Sequence, residues 1–207
     1  MATYTLNITF DQTGLAALSA VGQKVTIVKQ TTVGKPVAWI SFVPQLSNII
    51  TWTEQYSVYS STTNVQAGAT IQTSSSATAV GGSQYIVNTS GYFDPGIAGK
   101  TDPNTYEISN HDPALMINGI EMITAGLLQG AVVNNAPVTA PMCAVGILYN
   151  QDGFFTPIET IQVFTSSYSN NGMVISSVSG SALQVVYTTN TTQSIRYNDQ
   201  QNEFILA

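Results

Sequence analysis

The sequence predicts an all-β protein: an antiparallel β-sandwich with at most one short helix, near residues 12–22. Three observations carry that prediction. Segment after segment alternates apolar and polar residues with period two, the period of a half-buried strand. Turn-forming residues separate these segments at short spacing. Ten Tyr, seven Phe and two Trp are spread along the 207 residues, enough to fill a core and unlike a disordered chain. The length fits one large domain, so residues 1–207 read as a single β-sandwich domain.

The elements follow in chain order. Tyr4 to Phe10 alternates strictly and predicts a first strand. Gln12 to Gly22 places Leu15, Leu18 and Val21 near helical spacing, with Asp11 as N-cap and Gly22 as the stop. Lys24 to Gln30, Val37 to Val43 and Ile49 to Tyr59 return to period two. Ser60 to Ser83, rich in Ser, Thr, Ala and Gly, reads as an edge strand plus a long loop, followed by a strand at Tyr85 to Val87. Glu121 to Val133 contains Gly126 and Gly130, which disfavour a helix, so it reads as a strand. Its expected partner, through the turn Asn134 to Pro137, is Cys143 to Tyr149. Further strands are expected at Ile158 to Phe164, Met173 to Val178, Leu183 to Thr188 and Phe204 to Leu206. Asp152-Gly153 and Asn171-Gly172 carry the dipeptides of type I′ hairpins. Ser179-Gly180 marks a further turn.

Charge is the compositional anomaly. Only 8% of residues are Asp, Glu, Lys or Arg, against about 25% in an ordinary soluble domain. Ser, Thr, Asn and Gln make up roughly 37% instead, so uncharged polar groups must cover the surface. Five basic residues against eleven acidic ones leave a net charge of −6. Lys24, Lys29 and Lys35 lie near one another in sequence, whereas Lys100 and Arg196 are isolated. Nucleic-acid binding depends on several cations neutralising phosphates, so no nucleic-acid partner is expected. Polybasic attraction to anionic lipid fails for the same reason. No run of eighteen apolar residues exists, so no transmembrane helix is expected. Met1 to Tyr4 leads straight into alternation without a secretory signal. The expected location is cytoplasmic, or outside the cell by a route that needs no such signal.

Catalytic machinery is sparse. Cys143, the one cysteine, sits in the apolar run Met142 to Val145 and reads as a buried, inert thiol. His111, the one histidine, lies in a loop-like Asn-His-Asp-Pro sequence, and no G-x-S-x-G elbow accompanies it. Nothing in sequence pairs two acids for glycoside hydrolysis. No phosphate-binding glycine loop, dinucleotide fingerprint or metal-ligand spacing appears. The expectation is a non-enzymatic protein with no cofactor and no metal.

Two clusters suit ligand binding. On the strand Ile49 to Tyr59, alternation puts Trp52, Glu54 and Tyr56 on one face. Open, that face is a stacking platform beside a carboxylate; closed, Trp52 is core. The segment Tyr92 to Pro113 gathers Tyr92, Asp94, Asp102 and Tyr106 among three Asp-Pro dipeptides. It reads either as a surface loop with Asx turns or as a sugar site, where carboxylates bind hydroxyls and an aromatic covers the ring.

Asn48 to Asn64 (NIITWTEQYSVYSSTTN) resembles a segment near the start of actinoporin-type cytolysins. Leu15 to Val28 is similar to the end of their N-terminal helix entering a first strand. Ala144 to Gly153 and Tyr168 to Asn170 are similar to a later strand and a headgroup loop. Fungal fruit-body lectins share that fold. The matches cover about a third of the chain. The resemblance implies a β-sandwich and Tyr168 as a headgroup contact. The long amphipathic helix before the first strand is missing, which argues against pore formation by the actinoporin route.

These readings converge on lectin-like recognition of a neutral glycan or lipid headgroup, in defence or toxicity. The alternatives are a membrane-damaging toxin and a self-assembling structural or storage protein. Few charges and a Lys-free edge near Ser60 to Ser76 also predict a homo-oligomer.

Overall fold

Two long antiparallel strands, Ser47–Ser61 and Ile120–Val133, form the spine of the largest sheet in a computed structural model that describes residues 2–167, 170–178 and 181–207. On one side of this spine Thr3–Thr9 pairs antiparallel with the first half of Ser47–Ser61, and Thr192–Asn198 and Glu203–Leu206 follow. Ser75–Ala79 pairs with the second half of the same strand. On the other side Ala136–Pro141 and Cys143–Leu148 share the edge of Ile120–Val133, and Lys35–Ala38 and Met173–Val174 extend the sheet. This sheet has eleven strands among the described residues and curls into a half-barrel.

Two four-stranded sheets complete the structure. One contains Asp152–Phe155, Tyr106–Asn110, Ser83–Val87 and Ile97–Ala98. The other contains Leu183–Val186, Pro157–Ser166, Lys24–Thr31 and Ile40–Phe42. The protein is therefore mostly β, as period two required. Its α-helix, Gln12–Ala20, starts where the sequence places it: the Asp11 side chain accepts the Gly14 N–H at 2.6 Å.

All three sheets turn apolar faces into one core. Leu6, Ile8 and Leu127 come from the large sheet, Val25, Ile27 and Ile161 from the second, and Tyr85, Ile108 and Phe155 from the third. Ile120–Val133 is covered on both faces in its middle. Leu128 joins a smaller cluster with Val37, Tyr59, Ile71, Ala144 and Val174 on the opposite face from Leu127.

Several details differ from the sequence reading. Asn134 and Asn135, both at positive φ (49° and 68°), make a two-residue hairpin whose return strand is Ala136–Pro141. Cys143–Leu148 pairs with the far end, Met122–Ala125. Asp152-Gly153 is not a hairpin turn: Asn150 takes the positive φ (59°), and both residues pair with Ile108 and Ser109. Gly153 serves packing instead, because a Cβ there would crowd Ile147 and Phe155. Asn171-Gly172 does form a turn, but the strands before and after it belong to different sheets. Val37 to Val43 breaks at Trp39, and Met173 to Val178 shortens to Met173–Val174. Tyr92 to Pro113 contains the buried strand Tyr106–Asn110, because Tyr106 and Ile108 enter the core. Two pairings are parallel, Thr3–Thr9 with Thr192–Asn198 and Ser83–Val87 with Tyr106–Asn110. Ser179-Gly180 lies outside the described residues.

Gly126 tests the spine. Its position opposite Tyr59 brings the Cys143 carbonyl oxygen to where a Cβ would sit. Gly126→Ala must push one of three paired strands aside and should cost about 1–3 kcal/mol. The expected result is a lower urea midpoint with an unchanged slope.

Candidate functional site

The strand Lys24–Thr31 buries Val25 and Ile27 on its core side, and period two puts Lys29 on that side next. Its side chain has 0% exposure. An isolated buried ammonium would cost several kcal/mol, so its surroundings must replace water. The Nζ donates to Gln129 Oε1 at 2.9 Å and to Glu159 Oε1 at 3.0 Å, and Glu159 Oε2 lies 2.9 Å away. Trp39, Trp52 and Tyr56 present ring centroids at 5.6, 5.6 and 5.5 Å. Each such contact contributes about 0.5–2 kcal/mol, more when dry. Burial still pushes the Lys29 ammonium below the ordinary lysine value, against the pull of Glu159.

Two breaks in register aim the acids. Between Tyr56↔Gln129 and Trp52↔Ala131, Ser47–Ser61 advances four residues while its partner advances two. Glu54 sits in that excess. Between Pro157↔Thr31 and Ile161↔Lys29 the same mismatch holds Glu159. Such irregularities re-aim side chains and release backbone groups from the ladder. Here Gln129 Nε2 donates to the Thr53 carbonyl at 2.7 Å, and Trp39 Nε1 donates to the Gln129 carbonyl at 3.0 Å.

Outside this cage lies a cavity of about 360 Å³, lined by Glu54, Tyr56, Gly81, Pro103, Asn104, Tyr106, Thr156, Pro157 and Glu159. Tyr4 donates its phenol to Glu54 Oε1, and Tyr56 donates to Glu159 Oε1 at 2.7 Å. Tyr56 and Tyr106 meet edge to face at 5.6 Å. Thr156 shares a 2.8 Å hydrogen bond with Thr105. Gly81 allows the loop to close: a Cβ there would overlap the Pro103 carbonyl oxygen. The result is a polar hollow with two anchored carboxylates, an amide, a hydroxyl and two aromatic rings. It can accept hydrogen bonds from hydroxyls or ammonium groups and cover an apolar ring face.

The structure brings together Glu54, Tyr56 and Tyr106 from the two sequence clusters. Asp102 adjoins the cavity through Pro103 but turns its carbonyl to the Thr105 N–H. Trp52 is only 3% exposed and enclosed by Tyr4, Trp39, Tyr187 and Lys29, so it is core rather than an open platform. Tyr92, 65% exposed, does not line this cavity, and neither does Asp94, whose carboxylate accepts from Asn88 Nδ2. Tyr168 lies outside the described residues. Lys29, Gln129 and Glu159 were missed by sequence reasoning. Lys29 had a signal, a lysine on the apolar phase of KVTIVKQ; Glu159 had none, because a break in register sets its direction. Cys143 is buried, and burial pushes its thiol up to about 11. Among the described residues no cluster of three or more His, Cys, Asp or Glu gathers, and no helix is long and apolar enough to cross a membrane.

Compared with protein-family models, curated proteins and solved structures, the chain matches none.

Six phenols offer a test. Tyr4, Tyr56, Tyr59, Tyr106, Tyr187 and Tyr197 all titrate above the ordinary tyrosine value, with burial the leading cause, and Tyr106 is pushed up to about 12. A raised folded-state value adds stability that is complete below the unfolded value near 10 and is lost as pH rises through the folded value. Native protein at pH 11 should therefore show less phenolate absorbance at 295 nm than the same chain in denaturant. Stability should fall steeply above pH 10.

Proposed function

We propose that this protein is a non-enzymatic binding protein that recognises a neutral glycan, or a headgroup of similar size and polarity, in the cavity between Glu54, Tyr106 and Glu159. The observation that supports this reading is the convergence of two anchored carboxylates and two tyrosines, from separate sheets, on one open polar hollow. Glu159 is held by a phenol and an ammonium, and Glu54 by a phenol. Groups fixed this way act as acceptors with little entropy left to lose on binding. Tyr56, Tyr106 and Pro103 supply apolar surface. A glycan in this site would exchange water for short hydrogen bonds and ring contacts. Its affinity should vary little between low and high salt, since screening acts mainly at longer range.

Glu54 is exposed, so Glu54→Ala should still fold, at a cost of about 1–3 kcal/mol for the Tyr4 phenol that loses its acceptor. It removes a charged acceptor worth about 1.5–3 kcal/mol, so glycan affinity should fall roughly 10- to 100-fold. The measurement is a glycan array followed by titration calorimetry, run beside dye release from sphingomyelin liposomes. Glycan binding lost in Glu54→Ala supports the reading, and leakage without glycan binding favours the toxin. Silence in both assays removes this proposal.

Self-association is proposed on a separate observation. Among the described residues Ser75–Ala79 pairs on one side only, with Tyr56–Ser60, and it carries no charge along its five residues. An open, uncharged edge is a template for a second copy. Sedimentation velocity should show a concentration-dependent oligomer that Thr78→Lys shifts towards monomer. A monomer at every concentration would sink this part.

A further inference from the structure

We propose that Lys29 and Gln129 become joined by an intramolecular amide bond, formed by attack of the Lys29 amine on the Gln129 side-chain carbonyl with Glu159 carrying the protons. The geometry that points to this bond is already assembled. Nζ lies 2.9 Å from Oε1 of the amide whose carbon it would attack, and it also meets both oxygens of Glu159 within 3.0 Å. The amide cannot turn away, because Nε2 is tied to the Thr53 carbonyl at 2.7 Å. Effective concentrations in such fixed pairs far exceed those in solution. Trp39, Trp52 and Tyr56 wall off the amine, and two polar atoms of the cage lack hydrogen-bond partners, Trp52 Nε1 and Glu159 Oε2. Oε2 lies 2.9 Å from Nζ, within reach of its proton.

The dry surroundings favour the reaction in two ways. Burial lowers the pKa of Lys29, which favours loss of its proton. Gln129, only 1% exposed, is also shielded from water that would compete as nucleophile.

The step balances without a cofactor. Glu159 takes a proton from the Lys29 ammonium. The amine lone pair forms a bond to Gln129 Cδ, and the C=O π pair moves onto Oε1. As that pair returns, the Cδ–Nε2 bond breaks and Nε2 departs with the bonding electrons. Two protons leave Nζ by way of Glu159, and both end on the departing nitrogen, which leaves as ammonium. The carboxylate is regenerated. The chain loses one NH3, a mass of about 17 Da. The bond would tie Lys24–Thr31 to Ile120–Val133, across two sheets and a sequence separation of 100 residues. Closing so long a loop restricts the unfolded chain, as a disulfide of that span does.

Intact-mass measurement of the purified full-length protein tests the proposal directly. The expected mass is about 17 Da below that of the sequence. Tandem spectra should show one branched peptide containing both Lys29 and Gln129, with no tryptic cut after Lys29. Glu159→Gln and Lys29→Met should each restore the full mass. The wild-type spectrum is decisive even if those variants fold poorly. An unmodified mass overturns the proposal. So does a 17 Da loss located at Asn118-Gly119 or Asn171-Gly172, where a succinimide would form. An 18 Da loss located between Lys29 and Glu159 overturns Gln129 as the acceptor, and a persistent link in Glu159→Gln overturns the proton carrier.

Discussion

One buried cation organises the folding of this protein, before the bond proposed above removes its charge. Lys29 has no access to water, and the groups that stand in for water come from four stretches of chain. Glu159 belongs to the neighbouring strand of its own sheet, Gln129 and Tyr56 to the spine of the large sheet, and Trp39 to the break between two strands. A hydrophobic residue of similar volume would satisfy the core with fewer constraints. The charge instead demands particular partners at particular distances. Sheets that slid or paired out of register would leave it bare, at a cost of several kcal/mol. Lys29 therefore acts as a register pin between sheets that otherwise meet through interchangeable apolar contacts.

The irregularities of the ladder follow from that pin. A regular Ser47–Ser61 strand would alternate straight through Glu54, and a regular Pro157–Ser166 strand would keep Glu159 in phase with its neighbours. Both strands carry two extra residues at this point, and the backbone groups freed there are collected by the site itself. The Gln129 side chain takes the Thr53 carbonyl, while the Trp39 indole takes the carbonyl of Gln129. The cavity lies beside these register breaks, with Glu54 and Glu159 on its wall and Tyr56 between core and cavity.

What the sequence reveals depends on the range of the interaction. The helix at Gln12–Ala20 and the strand Ile120–Val133 are legible because capping and period two are local. Glu54 and Tyr56 are legible as neighbours on one strand. Tyr106 stands out by residue type, yet its strand hides in a stretch of Pro, Gly and Asp whose turn chemistry masks it. Pairing is the non-local part. Whether Asp152-Gly153 turns or extends is decided by Ser109 and Ile108 opposite it, about 44 residues away. The same limit conceals Glu159, whose direction comes from a mismatch against Lys24–Thr31. Lys29 is the instructive case. A lysine on the apolar phase of a buried strand is visible in sequence, and it signals a required counter-charge even though the sequence does not say which acid supplies it.

The scarcity of charge makes the few charges more consequential. With 8% charged residues and a net charge of −6, the protein has few positive charges with which to attract an anionic ligand at a distance. One of only five basic residues is spent inside, and its carboxylate partner also forms part of the cavity wall. Glu159 is thus shared, with Oε1 accepting from Tyr56 and Lys29 while the side chain as a whole is 19% exposed. Whatever fills the cavity, a glycan on the reading proposed above, would displace water from beside this carboxylate. Removing water lowers the local dielectric and strengthens the attraction between Glu159 and Lys29. It also withdraws solvent that would hydrate the carboxylate if the pair opened. Occupancy of the cavity and rigidity of the core are then two faces of one equilibrium, because a ligand bound to the folded state alone stabilises it by mass action. On that reading the coupling would pass through the Glu159 carboxylate, both oxygens of which lie within 3.0 Å of Lys29 Nζ.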